Sequence, residues 1–278
     1  MACSRRPRNQ AEARAAVTDR EMGENMTEED KIRTLNHLIH ESDNVVFFGG
    51  AGVSTESGVP DFRSQDGLYN QHYKYPPETI LSHTFYRQLP GEFYRFYRDK
   101  ILLPGRNAKP NAAHLKLAQW TKEGKLKAII TQNIDGLHQA AARAVGAPED
   151  NILELHGSVL RNYCERCHAF YDEQYMIDHS EGGAVPKCEK CGGLVKPDVV
   201  LYEEGLNMAT LNRAASAITN ADVLIIGGTS LVVYPAAGLI DYYQGHKLVL
   251  INRSTTSRDS QADLVISDSI GKVLGSLD

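Results

Sequence analysis

The chain has 278 residues, 42% of them hydrophobic, and a formal net charge of −5. That length can bury one large domain, or a large domain with a smaller satellite. The negative charge argues against a sequence-independent grip on nucleic acid; no apolar run approaches a membrane span or a signal-peptide core, so a cytoplasmic protein without a membrane partner is expected.

In chain order, residues 1–26 come first. They interleave Arg5, Arg6, Arg8, Arg14 and Arg20 with Glu12, Asp19, Glu21 and Glu24, and carry almost no large apolar side chain. Such a segment cannot offset its ordering entropy by burial, and a disordered tail is expected. The interspersed acids argue against an organelle-targeting peptide, and a start site placed too far upstream is at least as good an account. Thr27-Glu28-Glu29-Asp30 then reads as a capping box, with Ile32, Leu35, Leu38 and Ile39 recurring at helical spacing.

The apolar run Val45–Phe48 leads directly into Gly50-Ala51-Gly52-Val53-Ser54-Thr55. A buried strand ending in glycines and hydroxyls builds a phosphate cradle: the glycines let backbone N–H groups approach closely, and Ser54 or Thr55 is placed to cap a following helix. The third glycine of a dinucleotide fingerprint is replaced by Thr55, and no Gly-Lys-Ser/Thr of a P-loop follows. Alone, such a turn is as readily structural as functional. Pro60-Asp61-Phe62-Arg63, an aromatic and a guanidinium beside the cradle, favours function.

Residues 64–105 are rich in Tyr and Phe and read as an inserted helical module. Beyond them, helical patterns at Ala112–Lys122 and Met208–Ile218 alternate with short runs at Ala128–Thr131, Val223–Ile226, Leu248–Ile251 and Leu264–Ile266. Continuous apolar strands between helices predict an α/β fold, a Rossmann-like parallel sheet covered on both faces. Its segments are expected at 27–160 and 198–278, interrupted by a small module at 161–197.

That module holds Cys164-x-x-Cys167 and Cys188-x-x-Cys191, twenty residues apart, the spacing of a four-thiolate zinc ribbon. Disulfides fit poorly in a chain without a secretion signal, and an iron–sulfur cluster usually has a different spacing. Four thiolates leave no open position, so the zinc is expected to be structural. His168 and His179 read as surface residues, and Cys3 falls in the tail. A second polar cluster, Thr131-Gln132-Asn133-Ile134-Asp135, sits where a parallel strand ends and open sheets bind ligands; Leu155-His156-Gly157-Ser158 follows.

Taken together, Gly50–Arg63, Thr131–Asp135, His156-Gly157, the four cysteines, Gly228-Thr229-Ser230-Leu231 and Ile251-Asn252 resemble the sirtuins, NAD-dependent protein lysine deacylases, in order from about Thr27 to the C-terminus. The resemblance implies that Ala51, Gly52, Thr55 and Arg63 hold the pyrophosphate and ribose of NAD and that Phe62 shields the reacting carbon. It implies that Gln132 binds ribose, that Ile134 and Asp135 form the nicotinamide pocket, and that Gly228, Thr229, Ser230, Asn252 and Ile270 line the adenosine side. His156 would be the general base, with Asn133 orienting ribose or water. Phe62, Val200 and Tyr202 would wall the acyl-lysine tunnel, and Val199–Tyr202 would be an extended edge able to pair with peptide.

The usual Gly-Glu after the aromatic is Glu203-Glu204 here. In place of the Tyr-x-x-Arg of succinyl- and malonyl-removing relatives, the chain has Tyr94-Arg95-Phe96-Tyr97, so neutral acyl groups such as acetyl are expected. Acyl-lysine proteins would be the partners, with no nucleic acid, and a monomer is expected. The main alternative is a protein mono-ADP-ribosyltransferase, against which His156 argues. A silent NAD or acyl-peptide sensor is disfavoured by the intact Phe62, Asn133, Asp135 and His156, and a dehydrogenase by Thr55 and the cysteines.

Overall fold

The computed structural model describes residues 26–64 and 67–278; the tail expected over residues 1–26, Cys3 included, lies outside the described residues apart from Met26. In chain order the principal elements are α1 (Glu28–His40), β1 (Val45–Gly49), α2 (Pro77–Ile80), α3 (His83–Gln88), α4 (Pro90–Phe96), α5 (Ala112–Lys122), β2 (Leu126–Thr131), α6 (Leu137–Val145), β3 (Ile152–Glu154), β4 (Gly157–Cys164), β5 (Phe170–Tyr171), α7 (Glu173–His179), β6 (Val195–Val199), α8 (Met208–Thr219), β7 (Val223–Gly227), β8 (Leu248–Ile251), β9 (Leu264–Ile266) and α9 (Ile270–Gly275). Thr27 closes the capping box of α1 with Asp30.

Strand β1 is buried along its whole length, and its pleat sends alternate side chains into two cores. Val45 and Phe47 pack with Leu35 and Ile39 of α1, Leu117 and Trp120 of α5, and Val273 and Leu274 of α9. Val46 and Phe48 pack on the opposite face with Ala214 and Ile218 of α8 and with Leu239 and Ile240. Period-2 alternation within continuously apolar strands thus places helices on both faces. The sheet has six strands in the order β3-β2-β1-β7-β8-β9, and every pairing is parallel. The strand order reverses between β1 and β7, the switch point where doubly wound sheets bind ligands.

A second sheet, β5-β4-β6, is antiparallel and ends β4 on Cys164, with Cys167, Cys188 and Cys191 in the adjoining loops. It begins at Gly157, immediately after His156, so the small module grows directly out of the site. A third core, rich in aromatics, joins it to the inserted helices: Phe85, Tyr86, Phe93, Tyr94 and Tyr97 pack against Val159, Tyr171, Met176 and Val199. Among the described residues no helix is long and apolar enough to cross a membrane.

Candidate active site

At the switch point two glycines let two turns interlock. Gly52 N donates to Gly228 O at 2.8 Å, and Gly50 N donates to Gly227 O at 3.3 Å. A Cβ on Gly52 would stand 2.7 Å from Gly228 Cα, and Gly228 itself has φ +59°, so side chains are excluded from both turns. After β1 the chain makes two 3₁₀ turns, Ala51–Val53 and Thr55–Ser57, rather than a helix, and neither has a side-chain cap. The expected helix cap by Ser54 or Thr55 is therefore absent. Thr55 Oγ1 donates to Gly52 O at 3.0 Å, and Ser54 Oγ donates to Asp135 Oδ2 at 2.6 Å.

These turns border a cavity of about 680 Å³ reaching from Asn252 to the small module. It brings together most of the residues singled out from sequence: Ala51, Gly52, Phe62, Arg63, Gln132, Asn133, Ile134, Asp135, His156, Val200, Tyr202, Gly228, Thr229, Ser230 and Asn252. Two expected residues stand apart. Thr55 does not line the cavity, its hydroxyl being turned to Gly52. The Ile270 side chain is buried in the core, where a Cβ on Gly227 would meet its Cδ1 at 2.3 Å. The start of α9 is instead held by Glu56, which accepts from Ser269 Oγ and from Gly271 N.

On the nucleotide side, Gln132 Nε2 donates to Thr229 Oγ1 (3.1 Å) and Asn252 Nδ2 donates to Thr229 O (3.3 Å), fixing a polar rim. These amides and the close-set backbone turns fit a dinucleotide, which needs hydroxyl partners and room at its phosphates. Deeper in, Asp135 is partly buried at the cavity wall; burial raises its pKa, while donation from Ser54 Oγ and Leu137 N acts the other way. Asn133 Nδ2 donates to Ser54 Oγ at 3.0 Å.

His156 Nδ1 lies 3.0 Å from Gln132 O. A carbonyl can only accept, so Nδ1 carries the proton and Nε2 keeps its lone pair. Burial lowers the pKa of His156, keeping it neutral, the form a general base requires.

On the peptide side the expected free edge at Val199–Tyr202 is partly occupied. Tyr202 N donates to Leu81 O and Tyr202 O accepts from His83 N, both at 3.0 Å. Tyr202 Oη pairs with Tyr69 Oη at 2.7 Å, and the Tyr69 ring meets Phe62 edge-on. Glu203 has φ +75°, a left-handed backbone that glycine adopts freely. Its carboxylate accepts from Thr84 N and Oγ1 at 2.9 and 2.7 Å, tying this turn to the start of α3.

The thiolates of Cys164, Cys167, Cys188 and Cys191 lie within 4.8 Å of one another. A tetrahedron with Zn–S of about 2.3 Å has sulfurs about 3.8 Å apart. The pairs Cys164–Cys191 and Cys167–Cys188, at 3.4 and 3.5 Å, fit that ion. Arg166 N and Cys167 N turn toward Cys164 Sγ, and the Tyr171 hydroxyl donates to Cys188 Sγ, pulling that thiol down to about 6. Neither His168 nor His179 joins the cluster.

Comparison with known proteins agrees with this geometry. Residues 50–235 match the Sir2 family. A NAD-dependent protein deacetylase of Clostridium perfringens is 60% identical over 250 residues, covering 89% of this chain and 98% of the relative. One from Clostridium acetobutylicum is 57% identical over 247 residues, covering 88% and 97%. A solved Sir2 enzyme superposes with TM-score 0.77 at 39% identity, covering 89% of this chain and 96% of that one. A Sir2 structure with a p53 peptide and NAD+ superposes with TM-score 0.76 at 38% identity, covering 87% and 95%.

Proposed function

The chain belongs to the Sir2 family, and from that premise we propose that it is an NAD-dependent protein lysine deacetylase whose chemistry is carried out by the residues gathered at the switch point. The products are the free lysine, nicotinamide and O-acyl-ADP-ribose. Relatives covering nearly the whole chain bear that activity in their names, and a Sir2 structure 36% identical to this chain holds a deacetylated peptide with acetyl-ADP-ribose. The alternative of a mono-ADP-ribosyltransferase has no such support.

NAD supplies an electrophilic ribose carbon when its nicotinamide departs. Backbone at Ala51 and Gly52, with Arg63, holds the phosphates; Gln132 holds ribose; Gly228, Thr229, Ser230 and Asn252 hold the adenosine side. Ile134 and Asp135 receive nicotinamide, Asp135 accepting from its carboxamide. Phe62 covers the reacting carbon against water. The acyl oxygen of the modified lysine takes the place of nicotinamide on that carbon; His156 Nε2 then takes a proton from a ribose hydroxyl, which attacks the acyl carbon, and a water adds as the lysine amine leaves, with Asn133 orienting that ribose. Val200, Tyr202 and Phe62 wall the channel through which acyl-lysine enters between the large sheet and the small module.

A neutral acyl group is preferred. At the arginine position of the Tyr-x-x-Arg pair it is Tyr97 that lines the cavity, and Arg98 turns away to donate to Ile177 O at 3.0 Å. A structural zinc on the four cysteines holds the small module against the site. Consumption of NAD and four unpaired thiols suit a reducing cytoplasm, and every residue invoked lies on one chain, so a monomer suffices. The observation that carries the reading is the polarity of His156, with its base nitrogen free at the cavity wall. Accordingly, His156→Ala should abolish deacetylation of an acetylated peptide while still exchanging labelled nicotinamide into NAD. Loss of both together, or of neither, would contradict the assigned role.

A further inference from the structure

Where the two sheets meet, the chain carries an ion cluster that the chemistry above does not use. β4 and β6 pair at Gly157↔Val199 and Ser158↔Asp198 and resume at Asn162↔Pro197, so Val159, Leu160 and Arg161 form an arch with no residue of β6 opposite them. The arch is seated on the loop after β2. Val159 N donates to Ile134 O at 2.9 Å, and a Cβ on Gly136 would stand 2.5 Å from Leu160 Cδ1. Arg161, the last residue of the arch, reaches back across the junction. Its Nη1 donates to Glu154 Oε2 at 2.7 Å and its Nε to Asp198 Oδ2 at 2.8 Å.

The two carboxylates belong to different sheets. Glu154 ends β3 of the six-stranded sheet, and Asp198 lies on β6 of the small one. Each stands two residues before a residue of the site: Glu154 before His156, Asp198 before Val200. Those two residues are themselves joined, Val200 N donating to His156 O at 3.0 Å. A guanidinium is planar and rigid, so bonds from two of its nitrogens set both the distance and the direction between their partners. The Glu154 side chain is only 10% exposed, against 44% for Asp198. Burial raises the pKa of Glu154, while Arg161 and Gln139 of α6 favour its charged form.

We infer that Arg161 is a positioning residue: by clamping Glu154 to Asp198 it holds the end of β3, and with it His156, against the β6 edge that leads into the acyl-lysine channel. The inference rests on the reading of His156 as general base. An ion cluster that served the fold alone could be replaced by neutral side chains of similar size with no effect on the chemistry.

Neutralising the clamp tests this. Arg161→Met leaves Glu154 buried without its cation, and the melting temperature should fall; adding Glu154→Gln removes that charge and should restore it close to the parent value. In this double variant kcat/KM for acetylated peptide should still be down about 10- to 100-fold, the cost of misplacing a reacting group by up to about 1 Å. Exchange of labelled nicotinamide into NAD precedes the step of His156, and at saturating peptide it should stay within about twofold of the parent. Asp198→Ala, at the exposed end of the clamp, should melt as the parent does and lower deacetylation about three- to tenfold, with exchange again retained. Equal loss of exchange and deacetylation in these variants, or parental kcat/KM in either, would overturn the inference. If the double variant stays unfolded, Asp198→Ala decides by the same two rates. Should His156→Ala fail to separate exchange from deacetylation, the reading of the base falls instead; if it separates them and the clamp variants lose both rates equally, only the clamp falls.

Discussion

Gly157 joins His156, the proposed general base, to β4, and adding one methyl group there tests whether that junction sets the chemistry. Its φ is +80°, and an added Cβ would lie 1.9 Å from Asp198 O on β6. Contacts of a real Cβ essentially never fall below 3.0 Å, so β6 must retreat by more than about 1 Å. Val200 N, just beyond β6, donates to His156 O at 3.0 Å, so the retreat moves the base or breaks that bond. The left-handed backbone costs about 1–2 kcal/mol with a side chain, and the overlap about 1–3 more. Together, about 2–5 kcal/mol, these at most reach the lower edge of the roughly 5–15 kcal/mol of a typical fold, so Gly157→Ala should be destabilised but fold. A displacement of about 1 Å at a reacting group is worth roughly 100-fold in rate. Gly146→Ala is the control: φ is +71° at the end of α6, with nothing within 4 Å of its Cβ. It should lose about 1 kcal/mol and keep its activity. Thermal melts and kcat/KM for an acetylated peptide, measured on both variants, decide the matter. Equal melting temperatures and equal kcat/KM in the two would refute the reasoning.

The buried histidines predict a pH dependence of stability. His114 is brought down to about 4 by burial, and burial also lowers His138 and His156, so the unfolded chain binds protons that the folded one does not as pH falls from about 6.5 to 4. Stability should be fully present above that window and be lost through it, His114 alone contributing about 3 kcal/mol; denaturant midpoints between pH 7.5 and 4.5 measure this, and a flat profile would contradict it. Stripping zinc with a strong chelator should release one metal ion per chain, unfold the β4–β6 sheet and end deacetylation, with Cys188→Ala doing the same. Full activity in a metal-free protein would rule that out. Acetylated peptide should be turned over at least about tenfold more efficiently than succinylated peptide, because Tyr97 stands at the arginine position of the Tyr-x-x-Arg pair and Arg98 is turned to Ile177 O, while Arg106, which also lines the cavity, is held by Gln174 Oε1; the opposite order would reverse the assignment.

Local signals carried much of the fold. The capping box at Thr27, the helix at Ala112–Lys122 and the strands Leu248–Ile251 and Leu264–Ile266 have the bounds that their patterns predict. β3 escaped notice because Ile152-Leu153-Glu154 offers only two consecutive apolar residues, and α6 because its run of alanines leaves few large side chains to mark a face. Of the site, the cysteine spacing and the Gln132–Asp135 cluster were legible because their chemistry is contiguous in sequence. Ser54 was not: its partner Asp135 lies 81 residues away, so only folding shows that it is a donor to a carboxylate rather than a cap. Glu203 had a signal in its departure from glycine, but only the left-handed backbone and the bonds to Thr84 show how that departure is accommodated.

The central claim concerns where the acyl group and the ADP-ribose go. Incubating the purified protein with an acetyl-lysine peptide and NAD, and following every species by mass spectrometry, tests it directly. Peptide losing acetyl, released nicotinamide and newly formed acetyl-ADP-ribose should appear in equal amounts, and none should form without NAD. A peptide that keeps its acetyl group and gains the mass of ADP-ribose, or acetate released with NAD intact, would contradict the account.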